Sequence, residues 1–268
     1  EIPKRDWSSD VCSSDLRRDR VRSVVAARFD AIDAVRWRRL QTRAADATAA
    51  TIVCTEADRA AIARPKVRIV PNGYARPAAP VGHPERPVPA RGGVVAFVGL
   101  LTYAPNVDAA RFLVEQVLPH LRAARPDVEV HLIGRAGPEV EALAGPGVRV
   151  TGEVVEVDDA LAGADLVVVP VRFGGGTRIK VLEAMAQRVP IVTTSVGCEG
   201  LGVRDGVEAV VVDDPVAFAR ACDDLLGDPV RRGALAAAAA ELHAACFDWR
   251  VIRGGIAAIA RDASAGVA

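Results

Sequence analysis

Leu166-Val167-Val168-Val169-Pro170 leads, four residues on, into Gly174-Gly175-Gly176-Thr177-Arg178-Ile179-Lys180-Val181-Leu182-Glu183-Ala184-Met185-Ala186. The first run is continuously apolar, as a strand covered on both faces requires. The second reads as a glycine turn opening a helix, with Thr177 expected as its N-cap. Three glycines let backbone N–H groups approach a ligand closely. A helix N-terminus attracts anions through its free N–H groups and its dipole. Arg178 and Lys180 add positive charge at the same corner. Glu183 lies about one and a half turns further in, within reach of a group attached to such an anion. An anion carrying a hydroxylated arm, such as a nucleoside diphosphate, fits this layout. The competing reading is an exposed helix start with a Lys180–Glu183 i,i+3 salt bridge.

Around this corner, short apolar strands alternate with helices. Residues 94–98, 128–133, 148–150, 166–169, 191–193 and 209–212 read as strands. Helices are expected from Pro105-Asn106 to about Ala124, over 158–162, after Thr177, over 215–226 and over 231–245. Asp213-Asp214 reads as a strand end and the cap of the helix at Pro215. Continuous apolar strands separated by helices imply a parallel sheet covered on both faces, an α/β, Rossmann-like fold. In such sheets ligands sit at the carboxyl ends of the strands. Gly99, Gly134, Gly152 and Gly174 all follow strands there.

Upstream, residues 51–55 form a candidate strand, 56–61 open a helix, 67–70 form a strand and Pro71-Asn72-Gly73 stop it with turn chemistry. Residues 76–93 carry five prolines and read as a linker. Residues 17–43 hold nine arginines and three aspartates, a net charge of +6. Val21, Val25, Phe29, Ile32 and Val35 recur there at near-helical spacing, so a basic amphipathic helix is expected. It would pack one face on a domain or touch an anionic membrane surface.

The string P-x3-GGGTRIKVLEAMA-x3-PIVTT-x2-G-x-EGL, from Pro170 to Leu201, resembles the C-terminal domain of retaining GT-B glycosyltransferases. That large family includes sucrose and glycogen synthases and many bacterial polysaccharide enzymes. The likeness extends more weakly from about Asp46 to Trp249. It implies a donor domain at residues 93–246, a remnant of an N-terminal acceptor domain at 17–75, a linker at 76–92 and a helix at 247–268 crossing back. It also implies a nucleotide-sugar donor held at Gly174, Gly175, Gly176, Thr177, Arg178 and Lys180, with Glu183 on the ribose. Gly99 and Arg135 are further donor-binding candidates; the alternatives are a plain structural turn at Gly99 and a solvated loop arginine at Arg135. Glu153 falls where the family's base-binding loop lies. Much of the family carries a Glu eight residues before the Glu183 position; here Gly175 stands there, so the group that usually touches the donor sugar is absent. The implied activity is transfer of a hexosyl group to a glycan, lipid-linked or small-molecule acceptor. The catalytic residues are not assigned. The rival functions are a sugar-nucleotide epimerase of the same fold and a non-catalytic binding module.

Composition narrows the classes. The 268 residues are 50% hydrophobic and 25% charged, as globular chains are. Net charge is zero and aromatics are 4%, which gives no basis for nucleic acid as a partner. No apolar run reaches the roughly 20 residues of a membrane span. A cytoplasmic protein, with contact to the inner membrane face through residues 17–43 as an option, is the expectation. The five cysteines show neither a CxxC pair nor a metal spacing, and the four histidines show no mutual spacing. No metal or cofactor is expected. GxGxxG is absent after the strand at 94–98, which argues against a dinucleotide-dependent oxidoreductase. Residues 1–16 resemble a translated sequencing-adaptor string, and Met185 is the sole methionine. The sequence is therefore expected to be a fragment with a non-native leader, inactive alone.

Overall fold

The computed structural model describes residues 24–82 and 92–265, with side chains from residue 33 onward. Two compact units divide the chain. The larger holds Pro71–Arg172 and Thr177–Gly255; the other holds the described residues up to Val70, Phe173–Gly176 and those from Ile256 onward.

In the smaller unit, helix α1 (Val24–Ala47) precedes strand β1 (Thr51–Val53), helix α2 (Glu56–Ile62) and strand β2 (Val67–Ile69). The two strands pair in parallel, Thr51 opposite Val67. Thr55 caps α2 by accepting from the Asp58 N–H at 3.1 Å. Ala45, Ile62 and Val67 form its small buried core. The expected basic helix is present from Val24; residues 17–23 lie outside the described residues, as do residues 1–16 and residues 83–91 of the expected linker.

The larger unit runs β3 (Gly93–Val98), α3 (Ala104–Arg111), a π-helical stretch (Phe112–Val117), α4 (Leu118–Ala124), β4 (Val128–Ile133) and α5 (Pro138–Glu141). It continues through β5 (Val148–Gly152), α6 (Val157–Leu161), β6 (Leu166–Val169), α7 (Ile179–Ala186), β7 (Ile191–Thr193) and β8 (Val210–Val211). Helices α8 (Pro215–Gly227) and α9 (Pro229–Cys246) follow, and α10 (Trp249–Ala265) belongs to this unit up to Gly255. Asp214 caps α8 as expected, accepting from Val216 and Ala217, with Pro215 in the first turn.

The sheet is parallel throughout, in the order β5-β4-β3-β6-β7-β8. All four β6 residues are buried, with Val167 opposite Ala96 on one side and Ile191 on the other. That explains why the sequence there is apolar without alternation. Strand order reverses between β3 and β6, so the loops leaving their carboxyl ends diverge. A crevice at such a switch point is where α/β sheets bind ligands.

The amino end of the sheet is closed. Arg125 pairs with Asp223 at 2.6 Å, and Asp165 accepts from the Val94 N–H at 2.9 Å. Arg232, almost fully buried, donates to the Leu225 and Leu226 carbonyls at 2.8 Å each. Among the described residues, no helix is long and apolar enough to cross a membrane.

Candidate functional site

At the carboxyl end of β3, Gly99 forms a floor. A Cβ placed there would stand 2.8 Å from the Lys180 ammonium and 3.0 Å from the Asn106 amide nitrogen. The glycine thus makes room for a lysine side chain. Lys180, in the first turn of α7, donates to Asn106 Oδ1 at 2.6 Å, and its ammonium lies 4.5 Å from the centre of the Phe97 ring. A cation over a ring face is stabilised by the ring quadrupole. Asn106 is itself buried and donates through Nδ2 to the Leu100 carbonyl at 2.9 Å. Burial of the ammonium, with Arg178 nearby, pushes the Lys180 pKa down to about 7, against an opposing pull from Glu183.

Thr177 does not cap α7. The helix begins at Ile179, the capping position falls to Arg178, and no side-chain capping bond forms. Thr177 Oγ1 instead accepts from Asn72 Nδ2 at 2.9 Å, which fixes the turn from outside the helix. Arg178 is buried, and its Nε donates to the Val196 carbonyl at 3.5 Å. In the glycine run that precedes it, Gly174 has φ +115° and Gly176 φ +77°, conformations that exclude other residues without strain. Gly175 shares neither requirement.

Glu183 is half-buried one turn beyond Lys180. Burial raises its carboxyl pKa; Lys180 opposes this and Asp158 adds to it. The Tyr74 hydroxyl donates to Asp158 Oδ1 at 3.3 Å. Burial raises the phenol pKa, and the charges of Glu183 and Asp158 raise it further. Glu183, Asp158 and Tyr74 therefore share one electrostatic environment. The corner is not an exposed helix start closed by a Lys180–Glu183 bridge, since the lysine's hydrogen bond goes to Asn106.

Arg135 is exposed after β4, and its carbonyl accepts from Leu101 at 2.8 Å. With Glu141, Thr151 and Glu153 it lines an open pocket of about 510 Å³ beyond the ends of β4 and β5. The sequence reading missed Asn106, Tyr74 and Asp158. It also missed Arg172, which grips Asp108 through two hydrogen bonds of 2.9 and 2.6 Å and stacks on Phe112. In the sequence, Asn106 reads only as the start of a helix. Its partnership with Lys180 spans 74 residues and carries no local signal. Among the described residues, no group of three or more His, Cys, Asp or Glu side chains could hold a metal ion.

Known proteins resemble this chain in sequence and fold. The model of a family described as "Glycosyl transferases group 1" matches residues 92–228, just over half of the chain. A D-inositol 3-phosphate glycosyltransferase of Salinispora tropica is 34% identical over 180 residues, covering 60% of this chain and 36% of that protein. The chain thus spans little more than a third of that relative's length. Among solved structures, S. aureus TarM in complex with fondaparinux, alpha-GlcNAc-glycerol and UDP superposes with TM-score 0.65 and 17% identity. That match covers 81% of this chain and 45% of TarM. HepE of Anabaena, in complex with UDP and glucose, superposes with TM-score 0.64 and 18% identity, covering 82% of this chain and 65% of HepE. These structural likenesses establish the shared α/β fold.

Proposed function

Because the chain belongs to the group 1 glycosyl transferases, we propose that its six-stranded unit holds a nucleoside-diphosphate sugar at the β3–β6 switch point. The observation that carries this reading is Lys180. A cation set over Gly99 at the end of β3, with a neutral acceptor and a pKa pushed down to about 7, is poised for an incoming dianion. Arg178 and Lys180 meet the diphosphate charge, and the Thr177 N–H supplies a hydrogen bond. Glu183 accepts from the ribose hydroxyls. The pocket beside Arg135 and Glu153 takes the base. No metal is needed in this reading.

The proposed reaction is retaining transfer of a hexosyl group to a glycan, lipid-linked or small-molecule acceptor. The UDP and glucose named for HepE, and the UDP named for TarM, support a nucleotide donor. In the enclosed corner the cations stabilise charge that builds on the diphosphate as the glycosidic bond breaks, where donors act most strongly. Donor hydrolysis or transfer, followed with radiolabelled UDP- and GDP-sugars, tests the reading. Binding without turnover by a full-length relative carrying the same corner would leave a binding module instead. A change in sugar configuration without transfer would favour an epimerase.

Peripheral contact with a membrane belongs to the same proposal. Trp37 and Leu40 are exposed on α1 among Arg36, Arg38, Arg39 and Arg43. Co-sedimentation with anionic vesicles that Arg38→Glu/Arg39→Glu abolishes would support it.

A further inference from the structure

Asn106 sits in the first helical turn of α3, after Pro105, and is 8% exposed. Its amide makes two contacts of opposite sense. Nδ2 donates to the Leu100 carbonyl at 2.9 Å, and Oδ1 accepts from Lys180 at 2.6 Å. A carbonyl can only accept and an ammonium can only donate, so the two partners fix which way the amide faces. The Phe97 ring lies on another side of the ammonium, and Gly99 removes the side chain that would displace it.

We propose that Asn106 is the positioning residue that presents the Lys180 ammonium to the donor diphosphate, gripping it with a neutral oxygen so that its charge is left for the ligand. A carboxylate at this place would hold the lysine as well but would neutralise it and repel a phosphate. An apolar side chain would leave the ammonium without its acceptor and the Leu100 carbonyl with only the Tyr103 N–H at 3.2 Å. The inference rests on assigning the diphosphate to this corner. Among the described residues, the other charged groups acting on Lys180 are Arg178, at the cap position of α7, and Glu183 of α7, with Asp158 and Tyr74 acting through Glu183. Asp108 on α3 is engaged by Arg172.

The chain holds only three lysines, Lys4, Lys66 and Lys180, so NMR of lysine-labelled protein gives three side-chain titrations. Hydrogen bonding or an opposite charge at the ammonium favours its charged form. The Lys180 midpoint is therefore expected to fall in Asn106→Ala and to rise by at least about one pH unit in Asn106→Asp, while Lys66 stays put. Asn106→Asp preserves side-chain volume and reads the effect alone should Asn106→Ala unfold. UDP affinity at pH 7, followed by calorimetry, is expected to fall about tenfold or more in Asn106→Asp although the lysine is more fully charged, because charge-assisted contacts of this kind carry 1.5–3 kcal/mol. An identical Lys180 midpoint in wild type and variants would overturn the inference, and tight UDP binding alongside it would leave the donor assignment standing. Shifted midpoints with no UDP or GDP binding to the wild type would support the Asn106–Lys180 coupling and sink the donor assignment instead.

Discussion

Both ends of the larger unit's sheet bury charge, and they treat it differently. At the amino end, Arg125 meets the Asp223 carboxylate, Asp165 meets a strand N–H, and Arg232 meets two helix carbonyls. Those charges are consumed by the fold: they tie the end of α4 to α8, α9 to α8, and the turn before β6 to β3. At the carboxyl end, Lys180 is held by a neutral amide and an aromatic face, and the Glu183 pKa is raised by burial. A buried charge held without full neutralisation carries a desolvation cost. In the proposed function, that charge is set aside at the switch point for the donor diphosphate.

The contrast is sharpest if charge is removed at each end in turn. Lys180→Met is expected to weaken UDP or GDP binding ten- to hundredfold, since it deletes a charge-assisted contact of about 1.5–3 kcal/mol. Calorimetric titration reads this directly. Arg125→Met, tested in the same way, should leave affinity within twofold. Equal losses in both would erase the distinction between the two ends.

Arg232→Leu probes the other side. It removes the guanidinium from the Leu225 and Leu226 carbonyls, leaving Leu225 only the Asp228 N–H at 3.2 Å, at a cost of about 1–3 kcal/mol in stability. Urea unfolding should show that loss with nucleotide affinity unchanged in the folded fraction.

Glu183→Gln should act more gently. If the carboxylate accepts from both ribose hydroxyls, UDP binding weakens severalfold and 2′-deoxy-UDP binding weakens less. The comparison of two proteins and two ligands isolates the coupling. Equal losses for both ligands would make Glu183 a structural partner of Asp158 and Tyr74 instead.

How much of this was legible in the sequence follows from the range of the forces involved. Strand β6 could be bounded from its apolar run, because a strand covered on both faces must be apolar throughout, and β4 from apolar residues that alternate with Glu129 and His131. The caps at Asp214 and Pro215 are local chemistry and were readable for the same reason. The start of α7 was misplaced because Thr177 is a good N-cap by type, while its hydroxyl is taken by Asn72, 105 residues away. Asn106 was passed over because its partner comes from another helix. Arg232 and Arg172 look like surface arginines until the carbonyls and carboxylate that receive them are brought together by folding. Local rules thus picked out the glycine corner as a candidate, and long-range pairs decide which contacts its residues make.

The comparison also fixes a pH dependence. The Lys180 pKa is lowered from its ordinary 10.5 to about 7 in the folded chain, so between those values the unfolded state holds more protons. Stability from this group therefore rises with pH across that window and is flat below it. A bound diphosphate restores a counter-charge and raises the lysine's pKa again, so binding must take up protons at pH 8. Titrating UDP at pH 8 in two buffers of different ionisation enthalpy measures that uptake. A fraction of a proton approaching one is expected for the wild type, and none for Lys180→Met. Zero uptake by the wild type, or the same uptake by Lys180→Met, would contradict the claim that this lysine is held in waiting for an anion.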